Sequence, residues 1–148
     1  MGLRRKGREL ALQALYQLEV TAERSDGALQ TFWDNFEAGE GVKEFARALV
    51  AGVADRRADI DALIAKACEN WRMDRLSKVD LSALRLATYE LLGMPETPVN
   101  VVINEAIEIV RRYGAGESTA FVNGVLDRIA AELGVKPAAK DCGPATDQ

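Results

Sequence analysis

A chain of 148 residues, 48% apolar and 28% charged, is long enough to bury one core and has the balance of a globular domain, not of a disordered or fibrous one. It contains no histidine, which removes Ser-His and Cys-His nucleophile pairs and histidine metal sites from consideration. The net charge is −4, so affinity for a polyanion has to come from a local patch and not from composition.

Such a patch opens the sequence. Arg4, Arg5, Lys6 and Arg8 stand in "GLRRKGREL", where a helix begins, and cations at a helix N-terminus oppose the macrodipole at a cost of about 0.3–1 kcal/mol each. The helix is predicted from Leu3 to about Glu23, because Leu3, Leu10, Ala14 and Leu18, with Ala11 and Leu15 beside them, make one apolar face. On a wheel of about 100° per residue, Arg4, Arg5, Arg8, Leu12 and Tyr16 share the sector flanking that face, and Lys6 falls on the other side. Basic side chains beside an aromatic ring suit single-stranded nucleic acid, the cations meeting phosphates and the ring stacking on a base. A solubilising helix end with Tyr16 packed locally would use the same residues.

"RSDG" at 24–27 is read as the end of this element. Residues 28–38 form a short predicted helix with Phe32, Trp33 and Phe36 inward, broken by "GEG" at 39–41. From Val42 to about Asn70, Phe45, Leu49, Val53, Ile60, Leu63, Ile64 and Ala67 keep helical spacing, with Gly52 and "DRRAD" as places for a bend. The next helix, Val79 to Leu92 with Gly93 at its C-terminal end, is apolar on two sides. Leu81, Leu84, Thr88 and Leu91 lie on one and Val79, Ala83 and Leu86 on the other. Such a helix is either central or covered by a partner.

After "MPETP", Pro98 is placed in the first turn of "VNVVINEAIEIVRRYG", whose Val102, Ala106, Ile109 and Val110 face inward and whose Gly114 closes it. Within it Glu105 and Glu108 are spaced as on a solvated helix face or as an acid/base pair, and Arg111 and Arg112 complement the dipole of the last turn. Ser118 is the expected N-cap of a final helix over 119–133, stopped by Gly134 and Pro137. No strand alternation, repeat or glycine-rich linker interrupts this pattern. The predicted fold is all-α, one helical domain over residues 1–134 with a flexible tail at 135–148.

Catalytic and cofactor chemistry finds no footing in the motifs. There is no phosphate-binding G-x-x-x-x-G-K-[ST] loop, no strand leading into G-x-G-x-x-G, and only two distant cysteines, so no catalytic residue, cofactor or metal is expected. Cys68 lies in an apolar helical run and Cys142 in a Pro/Ala/Gly segment, which points to a reducing compartment. No apolar run approaches the ~18 residues that span a bilayer, and the first residues lack a signal-peptide core, so a cytoplasmic protein is expected.

Four segments in order, "RRKGRELALQALYQLE", "VDLSALRLATYEL", "PVNVVINEAIEIVRRYG" and "FVNGVLDRI", together resemble the transcription antitermination factor NusB family over most of residues 3–130. The resemblance implies a fold of two packed helical bundles. It implies a factor that binds the boxA element of nascent ribosomal RNA, as single-stranded RNA, together with the ribosomal protein NusE in the transcription elongation complex. On that likeness Arg4, Arg5, Lys6 and Arg8 occupy the basic positions of the family's RNA-binding motif. Its phosphates would then supply the negative charge that the helix end lacks. The segment "YGAGESTAF" adds Tyr113, Glu117 and Phe121 to the RNA surface beside Tyr16, and the helix starting at Asp80 offers the outer residues Asp80, Leu86 and Glu90 to NusE.

Two positions depart from the family pattern: Gly7 stands where alanine is common, and Ala120 where some relatives carry lysine. Related domains fused to RNA cytosine methyltransferases have a cofactor-binding α/β domain that is not present in this sequence. A helical protein-interaction scaffold with only non-specific RNA affinity is the other class of function these residues allow. The state of the free protein, a homodimer included, stays open.

Overall fold

The computed structural model describes residues 2–21, 26–68 and 76–135, and its regular structure there is seven α-helices. They are α1 (Leu3–Thr21), α2 (Asp26–Asn35), α3 (Glu40–Asp55), α4 (Arg57–Ala67), α5 (Lys78–Gly93), α6 (Val99–Tyr113) and α7 (Ser118–Leu133). Two apolar clusters organise them. In the first, Leu10, Ala11 and Ala14 of α1, Trp33 of α2 and Ala46, Leu49 and Val50 of α3 bury against one another and against Leu86 of α5. In the second, α4, α5, α6 and α7 meet through such residues as Ile64, Leu84, Val110 and Leu126, joined by Leu12 of α1 and Val53 of α3. This is the pair of packed helical bundles that the resemblance implied, with α5 shared between them.

The two-sided apolar pattern of α5 follows from that position. Asp80 through Thr88 are buried without interruption, as are Glu90 and Leu91. Full burial of one leucine is worth about 1.5–3 kcal/mol, so a helix covered on every side holds both bundles at once. Among the described residues no helix is long and apolar enough to cross a membrane.

Several boundaries differ from the expected ones for identifiable reasons. The run from Val42 breaks at Arg56, inside the "DRRAD" segment expected as one place for a bend, where a φ of −113° and ψ of 22° leave the helical region. Its N–H donates to the Gly52 carbonyl at 3.1 Å and its carbonyl accepts from the Ile60 N–H at 2.9 Å, so one residue ends α3 and begins α4. Gly52 is not the bend. A Cβ there would lie 2.1 Å from Cζ of Tyr89, so the glycine lets the Tyr89 ring of α5 rest directly on the α3 backbone.

Part of "RSDG" belongs to a helix, since α2 starts at Asp26, while Arg24 and Ser25 fall outside the described residues, as does the expected helix end at Glu23. The expected end at Asn70 also lies outside them, and α4 is described to Ala67. Ser77 caps α5, its Oγ accepting from the Asp80 N–H at 3.0 Å. Pro98 is the N-cap of α6 and not a first-turn residue. Ser118 is likewise inside α7, with Glu117 at the cap position. Gly134 ends α7 in the left-handed region (φ 77°), donating to the Ala130 and Ala131 carbonyls, a geometry that favours glycine. Pro137, Cys142 and the remainder from residue 136 are outside the described residues.

Candidate nucleic-acid interface

The opening cations do not share one fate. Arg4 is exposed, its guanidinium 5.2 Å from the centre of the Phe45 ring and its Nη1 a long 3.5 Å from Thr97 Oγ1. Arg5 reaches across to α6 and donates to both carboxylate oxygens of Glu105, Nε at 3.0 Å and Nη2 at 2.8 Å. Lys6 is exposed, on the side of the helix away from the other three. Arg8 is the correction. Only 4% exposed, it donates through Nε and Nη2 at 2.8 Å to Glu90 of α5, itself 2% exposed.

The wheel put Arg8 and Leu12 together in the sector flanking the apolar face, and that part of the sector is buried, Arg8 against Glu90 of α5 and Leu12 in the second core cluster. Burial pulls the Arg8 guanidinium toward its neutral form, and the hydrogen bonds and charge of Glu90 more than offset that, leaving it above its ordinary value. The expected compensation of the helix end is therefore revised. For Arg5 and Arg8 the missing negative charge comes from within the protein, from Glu105 and Glu90.

Gly7 has a local use in this arrangement. A Cβ at that position would meet Cδ2 of Phe45 at 2.5 Å, so the departure from alanine lets the ring lie close to α1, where Arg4 and Arg8 both stand over it (5.2 and 5.8 Å). Arg4, Arg5, Arg8 and Glu105 line an open groove of about 730 Å³ with Leu3, Thr97, Pro98 and Val101. Sequence reasoning missed Phe45 and Thr97. It also read Glu105 as part of a solvated face, whereas Glu105 is 17% exposed and paired with Arg5. Nothing local in "INEAIE" marks that pairing, which spans a hundred positions.

Of the remaining RNA candidates, Tyr16 (41%) and Tyr113 (43%) present exposed rings. Glu117 is exposed at the start of α7 and makes no side-chain cap bond. Phe121 is half-buried and packs against the second core cluster. Arg112 of α6 pairs with Glu9 of α1, which brings the α6 C-terminus to the same helix as the opening cations. Arg111 pairs with Glu108 on its own helix.

The three residues expected to face NusE are not on an outer surface. Leu86 (2%) belongs to the first core cluster and Glu90 is spent on Arg8. Asp80 (9%) accepts from Ser118 Oγ at 3.1 Å, tying α5 to α7, and its Oδ1 has no protein partner. The physical reason is the same for all three, namely that α5 is enclosed by α1, α3, α4, α6 and α7. Among the described residues no group of three or more Cys, Asp or Glu is placed to hold a metal ion.

A family model described as the NusB family matches residues 5–131. The chain belongs to the NusB family. It is 53% identical over 131 residues to the transcription antitermination protein NusB of Anaeromyxobacter dehalogenans, covering 88% of this chain and 92% of that one. It is 49% identical over 138 residues to the NusB of Myxococcus xanthus, covering 90% and 98%. Among solved structures it is similar to T. maritima NusB, with a TM-score of 0.80, 41% identity and coverage of 93% and 94%. It is also similar to a chain of the crystal structure of the antitermination factors NusB and NusE in complex with double-stranded RNA, with a TM-score of 0.78, 27% identity and coverage of 89% and 98%.

Proposed function

We propose that this protein is a cytoplasmic RNA-binding antitermination factor that recognises boxA RNA of nascent ribosomal transcripts together with NusE, acting without catalysis by tethering that RNA to the elongating polymerase. The observation that carries the reading is the exposed basic start of α1 in a NusB-family chain of net charge −4, with Arg4 and Arg5 along one groove and Lys6 exposed on the other side of the helix. RNA contact is assigned to Arg4, Arg5 and Lys6, to the exposed rings of Tyr16 and Tyr113, and to the loop carrying Glu117 with Phe121 behind it. Arg8 supports the array from beneath, through Glu90 and Phe45. Gly134, which closes α7, marks the end of the proposed helical domain.

Titration of the purified protein against a fluorescent boxA RNA and a scrambled RNA of equal length tests this, as single strands and as duplexes, with and without NusE. Tighter binding of the boxA strand, strengthened by NusE, is expected. Equal binding of boxA and scrambled RNA under all four conditions would leave a helical scaffold with electrostatic RNA affinity only.

A further inference from the structure

Two ion pairs cross between α1 and α6 in opposite directions. Arg5 of α1 meets Glu105 of α6, and one turn along α1 Glu9 meets Arg112 of α6. The pairs are unequal. Glu9 accepts a single bond from an arginine that is 55% exposed, whereas Glu105 accepts two, which fixes both the position and the plane of the Arg5 guanidinium. The Glu105 carboxylate is 17% exposed and the Arg5 side chain 37%, so the acid sits on the protein side of the pair and the base on the groove side.

We propose that Glu105 is a positioning residue of the RNA interface, holding Arg5 so that the guanidinium edge outside the pair meets a phosphate in the groove. This rests on the RNA-binding reading given above. The bidentate pair engages Nε and Nη2 and leaves Nη1 outside it. A guanidinium has five N–H donors, so a phosphate can be bound on the outer edge without surrendering the inner one.

The opposite role, in which Glu105 competes with RNA for Arg5, is disfavoured by burial. A phosphate that displaced Glu105 would leave a mostly buried carboxylate without its donors, and an unpaired buried charge costs more than one new contact returns. Glu105 is also held in its ionised form, below the ordinary carboxylate range, first by the Arg5 hydrogen bond. Glu108 and Glu9 add to the negative field around Arg5, and by charge alone these acids would repel RNA. The sign of a mutation therefore separates the two accounts.

Affinity for boxA RNA is measured for the wild type, Glu105→Ala, Glu105→Gln, Arg5→Ala and the double variant Arg5→Ala/Glu105→Ala, with unfolding curves to verify the fold of each. Glu105→Ala is expected to weaken binding by about 3- to 10-fold although it removes a negative charge, which is the cost of ordering one long side chain on association. Glu105→Gln, which keeps an oxygen for Arg5, recovers part of that loss, and the double variant binds like Arg5→Ala alone. Equal or tighter binding by Glu105→Ala overturns the proposal. A readout without RNA is the Arg5 Nε–H resonance, expected to be protected from water exchange in the wild type and unprotected in Glu105→Ala. An unprotected wild-type resonance overturns the proposal while the wild type still binds RNA. A wild type that binds no RNA defeats the functional reading itself.

Discussion

Arg8 and Glu90 are two charges taken out of water, 4% and 2% exposed, and their value depends on staying together. Removing one partner leaves the other uncompensated, so Arg8→Ala or Glu90→Ala should destabilise the protein by about 3–5 kcal/mol, whereas Arg8→Met/Glu90→Leu should recover most of the loss. Urea unfolding of the three variants checks this, and equal stability of the double variant and either single one would contradict it. RNA binding lost in Arg8→Ala is then a consequence of the fold. Glu105 is different because water reaches its pair. Its folded pKa lies below its ordinary value of 4.5, so the stabilisation is present above that pH and is lost as the pH falls through the lower folded value. The stability gap between wild type and Glu105→Gln should therefore narrow progressively below about pH 4.5 in a series of unfolding curves. At this scale the sequence was legible for what is charged and where on the chain, and not for which charges meet. Arg5 and Glu105 stand a hundred positions apart, and periodicity carries no information on such a pair.

At the scale of elements, α3 and α5 approach through a missing side chain. Gly52→Ala places a methyl group 2.1 Å from the Tyr89 ring and should cost about 1–3 kcal/mol, the usual penalty of overpacking. In a Tyr89→Leu background the same substitution should cost much less, and a double-mutant cycle by denaturant unfolding measures that coupling. Additive effects would mean that the ring does not lie on Gly52. The helices themselves were readable, because Leu49 and Val53 or Val102, Ala106, Ile109 and Val110 repeat at helical spacing and are among the residues that become buried. The breaks were less so. "DRRAD" holds no glycine or proline, so it marked the break at Arg56 only as one of two places, beside Gly52. For α5 the two-sided pattern pointed equally to a centre and to a partner-covered face, and only the surrounding helices decide between them.

On the scale of the whole molecule, a chain of net charge −4 that binds RNA must do so through few contacts, and the salt dependence counts them. Arg4 and Lys6 lack a bidentate carboxylate of the kind that holds Arg5, so the Arg4→Ala/Lys6→Ala variant should lower the slope of log K against log salt by about 1.4, from roughly 0.7 per phosphate contact of a single strand. Arg5→Ala should change the slope by less, because Glu105 already neutralises it. An unchanged slope in the double variant would remove the start of α1 from the RNA site.

The enclosure of α5 also sets how the molecule comes apart. A helix that contributes Leu86 to one cluster and Leu84, Ala87 and Leu91 to the other cannot expose its amides until both clusters open. Its backbone protons should therefore exchange with deuterium only through complete unfolding, at one common free energy from Leu81 to Leu91. By contrast α2, among the described residues, is fastened chiefly by Trp33 with Leu29 and Phe32, and by Phe36 just after it, and should exchange through local opening at far lower cost. Two bundles built around one shared helix lose the option of melting separately, and a single calorimetric transition with matching van't Hoff and measured enthalpies is the behaviour this arrangement requires.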